Sequence, residues 1–313
     1  MTMAHEIAWL FPGQNSQEVG MGRTLAEAHP LARQTFEEAD AILGFSLSEL
    51  MFEGPKALLD ETINTQPAIY VHSVALVRVG QAEGLLPEAG WAAGHSLGEY
   101  SALTAAGALP FTEGVRLVRE RGRLMKEAGE RVPGGMAAIL GLDDVAVARL
   151  CGDASAEGEP VQVANYNSPG QVVISGAKGA VLRASEAAQA AGAKKVIPLD
   201  VSIAAHSQLM ESAQDQFSPL VAATDFQNPS TPVIANVTAQ PLRTPVEIRQ
   251  ELVAQLTGSV RWTDSIHFLR EQGVTTFIEI GPGAVLTGLL KRIDRDAKRY
   301  NLSSWEEMND LKI

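Results

Sequence analysis

The sequence predicts an α/β protein in which a small subdomain of βαββαβ order is inserted into a larger domain with a mostly parallel sheet. Three observations lead to this fold class. Short apolar runs alternate with helical patterns along the chain, the segment from Trp91 to Ala108 has the order strand, tight turn, helix, and the order of elements changes between about Pro133 and Pro198. The predicted boundaries are residues 1–132 and 200–313 for the large domain and 133–199 for the subdomain.

The composition is that of a folded globular chain with one or two domains. The chain has 313 residues, and domains usually contain roughly 100 to 200. Apolar residues make up 45% and charged residues 20%, with a mean hydropathy of +0.01, which excludes disordered, collagen-like and coiled-coil classes. Lys and Arg number 25 against 37 Asp and Glu, and this net charge of -12 disfavours nucleic acid and anionic membranes as partners.

The use of cysteine predicts a reducing compartment. Cys151 is the single cysteine, so we expect neither a disulfide framework nor a zinc site built from cysteines. The N-terminal segment has no basic region, and its short apolar run ends at Pro12, unlike a secretory signal peptide. Every apolar stretch is shorter than the roughly 18 to 20 residues that a membrane-spanning helix requires. We therefore expect a cytoplasmic protein.

The large domain is expected to begin with a buried strand, Ile7–Phe11, which Pro12 and Gly13 close. The spacing of apolar residues predicts helices over residues 19–28, 31–43 and 66–79, with Pro67 in the first turn of the third helix. A strand at residues 91–93 leads into a helix over residues 99–108, and later strands are predicted at residues 231–235 and 276–280.

The inserted subdomain is indicated by its order of elements. Strands are predicted at residues 136–140, 161–165, 171–175 and 195–198, and helices at residues 143–150 and 180–191. The order strand, helix, strand, strand, helix, strand is typical of a ferredoxin-like unit. The segment Asn167-Ser168-Pro169-Gly170 supplies the turn residues for the central hairpin.

The segment Gly94-His95-Ser96-Leu97-Gly98 matches a nucleophile elbow, a sharp turn between strand and helix that exposes a serine hydroxyl. The positions two before and two after the serine approach each other closely, so a side chain at either would clash. The N–H group after the serine points to where an oxyanion forms. The five-residue pattern also fits an ordinary turn, but the strand before it and the helix after it favour a nucleophile.

A serine nucleophile needs a base, and His206 is the preferred candidate among the six histidines. His95 adjoins Ser96, but its side chain is expected to diverge across the turn. His206 follows the last predicted strand of the subdomain, and a loop between domains suits an active site. The remaining histidines have positions typical of surface or core residues: His5, His29, His72 and His267.

The sequence indicates no aspartate that could orient the imidazole of His206. A backbone carbonyl could take that role, because a serine–histidine dyad requires only that some group fixes the tautomer of the base.

Six motifs spread along the chain belong together. They are Phe11-Pro12-Gly13-Gln14, Thr65-Gln66-Pro67-Ala68, the stretch from Gly94 to Leu103, the stretch from Asn167 to Gly176, Gly281-Pro282-Gly283 and Val285-Leu286-Thr287-Gly288-Leu289. In combination they resemble the malonyl-CoA:acyl-carrier-protein transacylases, acyltransferases of fatty acid and polyketide synthesis. The resemblance covers nearly the whole chain and implies a hydrolase-like large domain with a ferredoxin-like insertion.

The resemblance also implies roles for individual residues. Ser96 matches the acylated nucleophile and His206 its base, with the main-chain carbonyl of Gln255 holding the imidazole. The backbone N–H groups of Leu97 and Gln14 match the oxyanion hole, where one such donor contributes about 3 to 4 kcal/mol. No metal or redox cofactor is expected. The implied substrate is malonyl-CoA, and the implied acceptor is the phosphopantetheine thiol of an acyl carrier protein.

By the same resemblance, Arg121 matches the arginine that pairs with the free carboxylate of the malonyl group. A guanidinium offers two parallel donors that fit a carboxylate and that acetyl leaves unpaired. The residues by themselves leave a second interpretation open, because Arg116, Arg119, Arg121 and Arg123 could together form a solvated helix face.

Two departures from the family pattern bear on the site. Asn15 stands where relatives carry glycine, and asparagine tolerates left-handed backbone angles better than most residues, so the loop is expected to keep its shape. Ala205 precedes His206 at a position that lines the acyl pocket in relatives. So small a side chain leaves room for an α-methyl branch, and exclusive use of malonyl therefore does not follow.

The leading hypothesis is transfer of a malonyl group from malonyl-CoA to a carrier protein through a malonyl-Ser96 ester, with ping-pong kinetics. A discrete acyltransferase of a polyketide synthase would differ only in its partner. A serine thioesterase or esterase has no use for Arg121, and a catalytically silent scaffold has none for Ser96 and His206. An acidic carrier protein would dock on one of two basic clusters: Lys291, Arg292, Arg295, Lys298 and Arg299, or Lys178, Lys194 and Lys195.

Overall fold

A six-stranded sheet and a separate four-stranded sheet form the framework of the computed structural model, which describes residues 3–199, 201 and 203–312. The predicted boundary residue Asp200 lies outside the described residues, as do Met1 and Thr2 of the N-terminal segment. The strands are β1 (Ile7–Phe11), β2 (Trp91–Gly94), β3 (Gly134–Leu140), β4 (Val161–Ser168), β5 (Gln171–Ala177), β6 (Lys195–Pro198), β7 (Val233–Ile234), β8 (Pro241–Leu242), β9 (Thr276–Ile280) and β10 (Lys298–Leu302).

Helices lie between and after these strands along the chain. They are α1 (Arg23–Ala28), α2 (Pro30–Leu43), α3 (Leu47–Glu53), α4 (Lys56–Leu59), α5 (Thr62–Ala82), α6 (Gly98–Ala105), α7 (Phe111–Arg131), α8 (Asp144–Ala154), α9 (Lys178–Ala190), α10 (Glu211–Ala223), α11 (Pro245–Ala254), α12 (Trp262–Glu271), α13 (Val285–Ile293) and α14 (Trp305–Asp310). None of the helices in the described residues is both long enough and apolar enough to cross a membrane.

The larger sheet has the strand order β10-β9-β1-β2-β7-β8, and its neighbours run parallel except for the antiparallel pair β7 and β8. Along β1, Ile7, Trp9 and Phe11 pack into one apolar core and Ala8 and Leu10 into another. Because successive side chains of a strand point to opposite faces, both faces of the sheet are covered. This explains why β1 is apolar throughout rather than alternating.

The smaller sheet confirms the ferredoxin-like prediction. Its elements follow one another in the chain as β3-α8-β4-β5-α9-β6, and the strand order across the sheet is β4-β5-β3-β6 with antiparallel neighbours. Helices α8 and α9 cover one face and close a core of their own, which includes Ile139, Val147, Ile174 and Val181. The division of the chain at residues 132/133 and 199/200 stays a prediction.

Pro67 is not in the first turn of its helix, and that prediction is wrong. Helix α5 begins at Thr62, so Pro67 lies in its interior. A proline has no N–H to donate to the carbonyl four residues earlier, which belongs to Ile63. Arg119 of the neighbouring helix α7 takes its place, because its Nη1 atom donates to the Ile63 oxygen at 2.8 Å. The helix therefore tolerates an internal proline through a tertiary contact.

Three other elements are shorter than predicted, and one of them is the helix expected over residues 99–108, which spans Gly98–Ala105. The first helix was expected over residues 19–28 but begins at Arg23, because Gly20 and Gly22 have positive φ angles of 100° and 82° and form a turn. The strand expected over residues 231–235 contains only Val233–Ile234. Strands β8 and β10 carry no apolar alternation strong enough to predict them from the sequence.

Candidate active site

The pocket that contains Ser96 opens at the carboxyl ends of β1 and β2, where ligands bind in open α/β sheets. It has a volume of about 210 Å³ and is lined from both sheets. The smaller sheet contributes Met136, Asn165, Asn167, Gln171 and Val173. Helix α13 contributes Val285, Leu286 and Leu289, and the segment before His206 contributes Leu199, Val201, Ile203 and Ala205.

The turn around Ser96 has the geometry of a nucleophile elbow. A Cβ atom added to Gly94 would stand 2.0 Å from the carbonyl of Gly98, and one added to Gly98 would stand 2.0 Å from the carbonyl oxygen of Phe11. The prediction that both glycines are required by close approach is therefore confirmed. Ser96 itself has a φ of 51°, in the left-handed region that non-glycine residues avoid.

Backbone strain is concentrated at this pocket. Four non-glycine residues in the described part of the chain have positive φ, and three of them line the pocket: Asn15 at 77°, Ser96 at 51° and His206 at 57°. Strain of this kind persists only where the surroundings hold it, and it is characteristic of functional sites. The expectation that Asn15 adopts the left-handed conformation in place of a glycine is also confirmed.

The side chains of Ser96 and His206 are joined by a hydrogen bond of 2.7 Å between Ser96 Oγ and His206 Nε2. On the other side of the ring, Nδ1 lies 2.8 Å from the carbonyl oxygen of Gln255 and 3.2 Å from that of Gly258. Carbonyl oxygens only accept, so Nδ1 must carry the proton and Nε2 must be the acceptor for the serine O–H. The tautomer is thus the one in which histidine can act as a base.

His206 is held in its neutral form. The residue is 3% exposed, and burial, followed by the nearby charge of Arg121, lowers its pKa from 6.5 to about 3. The hydrogen bonds to the carbonyls of Gln255 and Gly258 act in the opposite direction, because they favour the protonated ring. At neutral pH the imidazole is therefore available to accept a proton.

Arg121 extends from α7 into the same pocket and is 1% exposed. Its Nη2 atom lies 3.2 Å from Ser96 Oγ and 2.9 Å from Gln255 Oε1, and its Nη1 atom lies 2.7 Å from Gln66 Oε1. These partners are all uncharged, and burial lowers the pKa of the guanidinium. A buried cation without a hydrogen-bonded carboxylate among the described residues is a ready partner for an anion.

The four arginines of α7 from Arg116 to Arg123 do not form one solvated face. Arg116 and Arg123 are paired with glutamates of their own helix, at 2.9 Å to Glu113 and 2.8 Å to Glu120. Arg119 binds the chain near Pro67, as described above. Arg121 alone of the four is buried, which separates it from the other three as a binding residue.

The two residues whose backbone N–H groups are the expected oxyanion donors, Leu97 and Gln14, both line the pocket. Leu97 immediately precedes the first residue of α6, so its N–H lies at the positive end of that helix, and Gln14 follows β1. Neither N–H has a hydrogen-bond acceptor within the described part of the chain. The side chain of Gln14 is fixed by Thr62, whose hydroxyl donates to Gln14 Oε1 at 3.0 Å.

Several residues that contact the site were not predicted from the sequence. Gln66 binds Arg121, Gly258 supplies a second carbonyl to His206, and Gln162 donates to the carbonyl of His206 at 3.1 Å. Asn236 binds the main chain on both sides of His95. Amide side chains such as these carry no pattern of spacing that would identify them. For Gln66 alone a signal existed, because it lies in the motif Thr65-Gln66-Pro67-Ala68.

His5 and His267 are exposed, His29 is half-buried and His72 is buried, which agrees with the prediction that these four are surface or core residues. His95 turns away from Ser96 and its Nε2 atom lies 2.9 Å from Asn167 Oδ1. His29 caps the N-terminus of α2, where its Nδ1 accepts from the N–H of Leu31. His72 is buried in α5. A search of the described residues finds no group of three or more His, Cys, Asp or Glu side chains arranged to hold a metal ion.

Known acyltransferases are similar to this chain over nearly its whole length. Residues 8–305 match the family described as acyl transferase domain. The malonyl CoA-acyl carrier protein transacylase of Salmonella typhimurium is 49% identical, over 92% of this chain and 93% of that protein. The protein of the same name from Bacillus subtilis is 46% identical, over 96% of this chain and 94% of that protein.

Solved structures agree in fold. A malonyl-transacylase determined in complex with the acyl-carrier protein of a type II polyketide synthase has a TM-score of 0.94 and 45% identity, covering 97% of this chain and 98% of that one. The malonyl CoA-acyl carrier protein transacylase of Coxiella burnetii has a TM-score of 0.95 and 41% identity, covering 99% of this chain and 98% of that one. The resemblance inferred from the motifs is confirmed, and the chain belongs to the malonyl CoA-acyl carrier protein transacylase family, which carries the acyl transferase domain.

Proposed function

We propose that the protein transfers a malonyl group from malonyl-CoA to the phosphopantetheine thiol of an acyl carrier protein, through an ester on Ser96. The observation that carries this proposal is the arrangement of Ser96 Oγ, 2.7 Å from His206 Nε2 and 3.2 Å from Arg121 Nη2. A nucleophile, its base and a buried cation thereby meet at one atom. The names of the relatives support the same substrate and acceptor.

In the first half-reaction, Ser96 Oγ attacks the thioester carbon of malonyl-CoA while His206 Nε2 accepts the hydroxyl proton. The thioester oxygen becomes an oxyanion, which the N–H groups of Leu97 and Gln14 stabilise. Collapse of the tetrahedral intermediate breaks the C–S bond. The proton on His206 passes to the departing thiolate of CoA, and a malonyl-Ser96 ester remains.

In the second half-reaction, the phosphopantetheine thiol of the carrier protein takes the place of CoA. His206 removes the thiol proton, the sulfur attacks the ester carbon, and the C–O bond to Ser96 breaks as the proton returns to Oγ. The enzyme ends in its starting state. The carbonyls of Gln255 and Gly258 hold the imidazole in one orientation through both steps.

Arg121 selects a dicarboxylic acyl group. The acyl carbon bonds to Ser96 Oγ, and the free carboxylate of malonyl lies two carbons further on, within reach of the guanidinium beside that oxygen. A carboxylate neutralises the buried cation, whereas acetyl leaves it with uncharged amide partners only. This also disfavours a general thioesterase or esterase, which has no use for a buried carboxylate partner.

A basic groove beside the active site is the proposed docking surface for the phosphate-bearing substrates. It has a volume of about 700 Å³, is lined by Lys194, Lys195 and Arg292, and adjoins the pocket through Gln171, whose Oε1 accepts from Arg292 Nη1 at 2.7 Å. Coenzyme A and phosphopantetheine both carry phosphate groups. The groove therefore combines Arg292 of the first basic cluster with Lys194 and Lys195 of the second. Arg299 of the first cluster is not part of the proposed docking surface, because its guanidinium binds three carbonyls of its own loop.

The reaction as written needs no metal or redox cofactor, since every proton and electron pair is carried by the residues and substrates named. Activity that survives extensive chelation would support this point, and its loss on chelation would contradict it. We also propose that the protein acts in the cytoplasm, where malonyl-CoA and carrier proteins would be available to it. Detection of the native protein in a membrane or periplasmic fraction would contradict that location.

The decisive experiment is the intact mass of the protein after mixing with malonyl-CoA and again after adding a carrier protein that bears phosphopantetheine. We expect a gain of one malonyl group that is absent in Ser96→Ala and that moves to the carrier protein. Ser101→Ala is a matched control, because Ser101 is a buried serine of the following helix that lies outside the pocket. A gain lost equally fast to water alone would instead identify a hydrolase, and no gain with any thioester would contradict acyl transfer.

A further inference from the structure

The N–H group of Ser96 finds its acceptor on a different part of the chain. Asn236, two residues after β7, accepts this hydrogen bond through its Oδ1 atom at 2.7 Å. The Nδ2 atom of the same side chain donates to the carbonyl oxygen of Gly94, also at 2.7 Å. One amide group thus bridges the two main-chain groups that flank His95 at the turn. Asn236 is 2% exposed, so water does not compete for these contacts.

The bridge lies where the sheet ends. Strand β2 pairs with β7 only at Ala92 and Ala93, and the N–H of Ala92 donates to the carbonyl of Pro232. Alternate residues of a strand face the same neighbour, so Gly94 and Ser96 also face the β7 side. The sharp turn carries them beyond the last strand pair. The Asn236 amide uses one N–H and its carbonyl oxygen in the manner of a peptide group, and it continues the pairing that the main chain no longer provides.

Asn236 is itself fixed at both of its main-chain groups. Its N–H donates to Glu99 Oε1 at 3.2 Å, and its carbonyl accepts from the N–H of Arg261 at 2.8 Å. Glu99 is fully buried and belongs to α6, the helix that follows the nucleophile. Gln255, whose carbonyl holds His206, donates from its side chain to Glu99 Oε2 and to the carbonyl of Ser96, the latter at 3.0 Å. The nucleophile and the base are therefore tied to one set of buried contacts.

We propose that Asn236 is a positioning residue for the transfer reaction: its side-chain amide, bridging Gly94 O and Ser96 N, holds the strained turn so that Ser96 Oγ meets His206 Nε2. Asn236 lies outside the residues that line the pocket, so it acts through Ser96 and touches no substrate. The inference rests on the proposed function, because it assumes that Ser96 is the residue that becomes acylated.

The first test is the rate at which malonyl-CoA acylates Asn236→Ala, measured by intact mass in a single turnover, together with steady-state kcat and KM. The substitution leaves the buried N–H of Ser96 without an acceptor. We expect acylation and kcat to fall about tenfold to a hundredfold, because a turn that is no longer held misplaces the nucleophile and a misplacement of about 1 Å can lower a rate about a hundredfold. The KM for malonyl-CoA should change little. Thr238→Ala is the matched control, since Thr238 lies in the same loop, is exposed and binds only the N–H of Gln240.

A second variant separates positioning from general stability. In Asn236→Asp the shape is kept, but an ionised carboxylate would turn an acceptor toward the Gly94 carbonyl and repel it. The protonated acid has a hydroxyl donor in that position and restores the bridge. The rate relative to the unsubstituted enzyme should therefore rise as the pH is lowered from about 8 to about 5, the range in which a buried aspartate next to other carboxyls gains its proton.

The charged and titratable groups around residue 236 determine whether the relative rate of Asn236→Asp rises or falls as the pH is lowered. The main-chain N–H of Asn236 contacts the carboxyl of Glu99 of α6, and Glu251 of α11 also interacts with the Asn236 main chain. The other titratable or charged side chains of this region are Tyr100 of α6, Arg121 of α7, His206 and, between the two bridged main-chain groups, His95. Burial opposes ionisation of an added aspartate, the two carboxyls oppose it further where they are ionised, and Arg121 favours it. Because Glu99 binds the Asn236 main chain directly while Arg121 reaches Glu99 only through Gln255, we expect burial and the carboxyls to dominate.

The outcomes separate this inference from the proposed function. Rates are referred to the folded fraction, measured by thermal unfolding at each pH, so loss of folded protein does not imitate loss of catalysis. The positioning role is wrong if both Asn236 variants acylate at the rate of the unsubstituted enzyme, or if only their KM for malonyl-CoA changes. It is also wrong if the rate of Asn236→Asp relative to that of the unsubstituted enzyme does not change with pH. If Ser96→Ala still becomes malonylated in the same series, the proposed function fails instead.

Discussion

The Nη2 atom of Arg121 lies 3.2 Å from the hydroxyl oxygen of Ser96, so a buried cation and the nucleophile occupy the same end of the pocket. An acyl group on Ser96 must extend past the guanidinium. In the proposed mechanism, the side chain that recognises the acyl group is thus next to the atom that forms the bond, and recognition is coupled to the chemical step rather than to binding of the CoA portion.

Replacing Arg121 is expected to remove the preference for malonyl over acetyl. Arg121→Ala should lower kcat/KM for malonyl-CoA on the order of a hundredfold, because hydrogen bonds to a charged group contribute about 1.5 to 3 kcal/mol each. The value for acetyl-CoA should change much less. Competition between the two thioesters measures the ratio, with Arg116→Ala as the control for loss of an exposed arginine of the same helix. An unchanged ratio would show that selectivity lies elsewhere.

The enzyme should remain active at a lower pH than a histidine base with an ordinary pKa would allow. The pKa of His206 is lowered to about 3 by burial and by Arg121, so the free enzyme keeps a neutral base well below pH 6. We expect kcat/KM for malonyl-CoA, which reports groups of the free enzyme, to vary less than about twofold between pH 7 and pH 5. Thermal unfolding at each pH confirms that the protein is folded. A half-maximal loss near pH 6.5 would contradict the neutral, buried state.

The carboxyl group of Glu251 should make the fold less stable at alkaline pH. Its Oε1 accepts from the N–H of Val237 at 2.8 Å, and burial raises its pKa to about 7. Because the folded pKa exceeds the unfolded one, the stabilising contribution is complete below about pH 4.5 and is lost as the pH rises through about 7.

Glu251→Gln keeps the acceptor for Val237 but cannot ionise. Its free energy of unfolding should exceed that of the unsubstituted protein at about pH 8, on the order of 1 kcal/mol or more, and the difference should shrink toward about pH 5. Urea unfolding at the two pH values measures it. Glu271→Gln, at an exposed position, controls for removal of a charge, and a pH-independent difference would contradict the prediction.

Charge reversal in the basic groove should weaken the use of carrier protein. Lys195→Glu and Arg292→Glu are expected to raise the KM for carrier protein about threefold to tenfold at low salt, because charges at the rim of an interface act mainly on association. The effect should diminish as salt is added. Lys298→Glu makes the same charge change outside the groove and serves as the control. Equal effects of all three would indicate net charge rather than a docking surface.

The small side chain of Ala205 should permit an α-methyl branch on the acyl group. Ala205 lines the pocket beside His206, and we expect methylmalonyl-CoA to acylate Ser96 in addition to malonyl-CoA. Ala205→Leu should reduce the ratio of methylmalonyl to malonyl acylation about tenfold, in line with the 1 to 3 kcal/mol that a methyl group contributes to discrimination. Intact mass with mixed thioesters gives the ratio directly. Complete exclusion of methylmalonyl by the unsubstituted enzyme would contradict the expectation.

Much of the fold was predictable because its signals are local. The apolar run of β1, the glycines of the elbow and the βαββαβ order each depend on neighbouring residues, and all agree with the structure. Pro67 shows where this fails. Its helix continues through the proline because Arg119, more than 50 residues later, satisfies the carbonyl that the proline leaves open. No local rule contains that partner.

The sequence by itself determined the α/β class, the strained serine turn, the family, and that Ser96 and His206 are the pair to examine. Only the tertiary structure decided which of four arginines is buried, that the carbonyl of Gly258 holds the imidazole in addition to that of Gln255, and that Asn236 completes the turn. The physical reason is the distance along the chain over which each interaction acts. Turn geometry and apolar periodicity are set by adjacent residues. Burial and hydrogen bonding of a single side chain depend on residues that can be more than 100 positions away, as Asn236 is from Ser96.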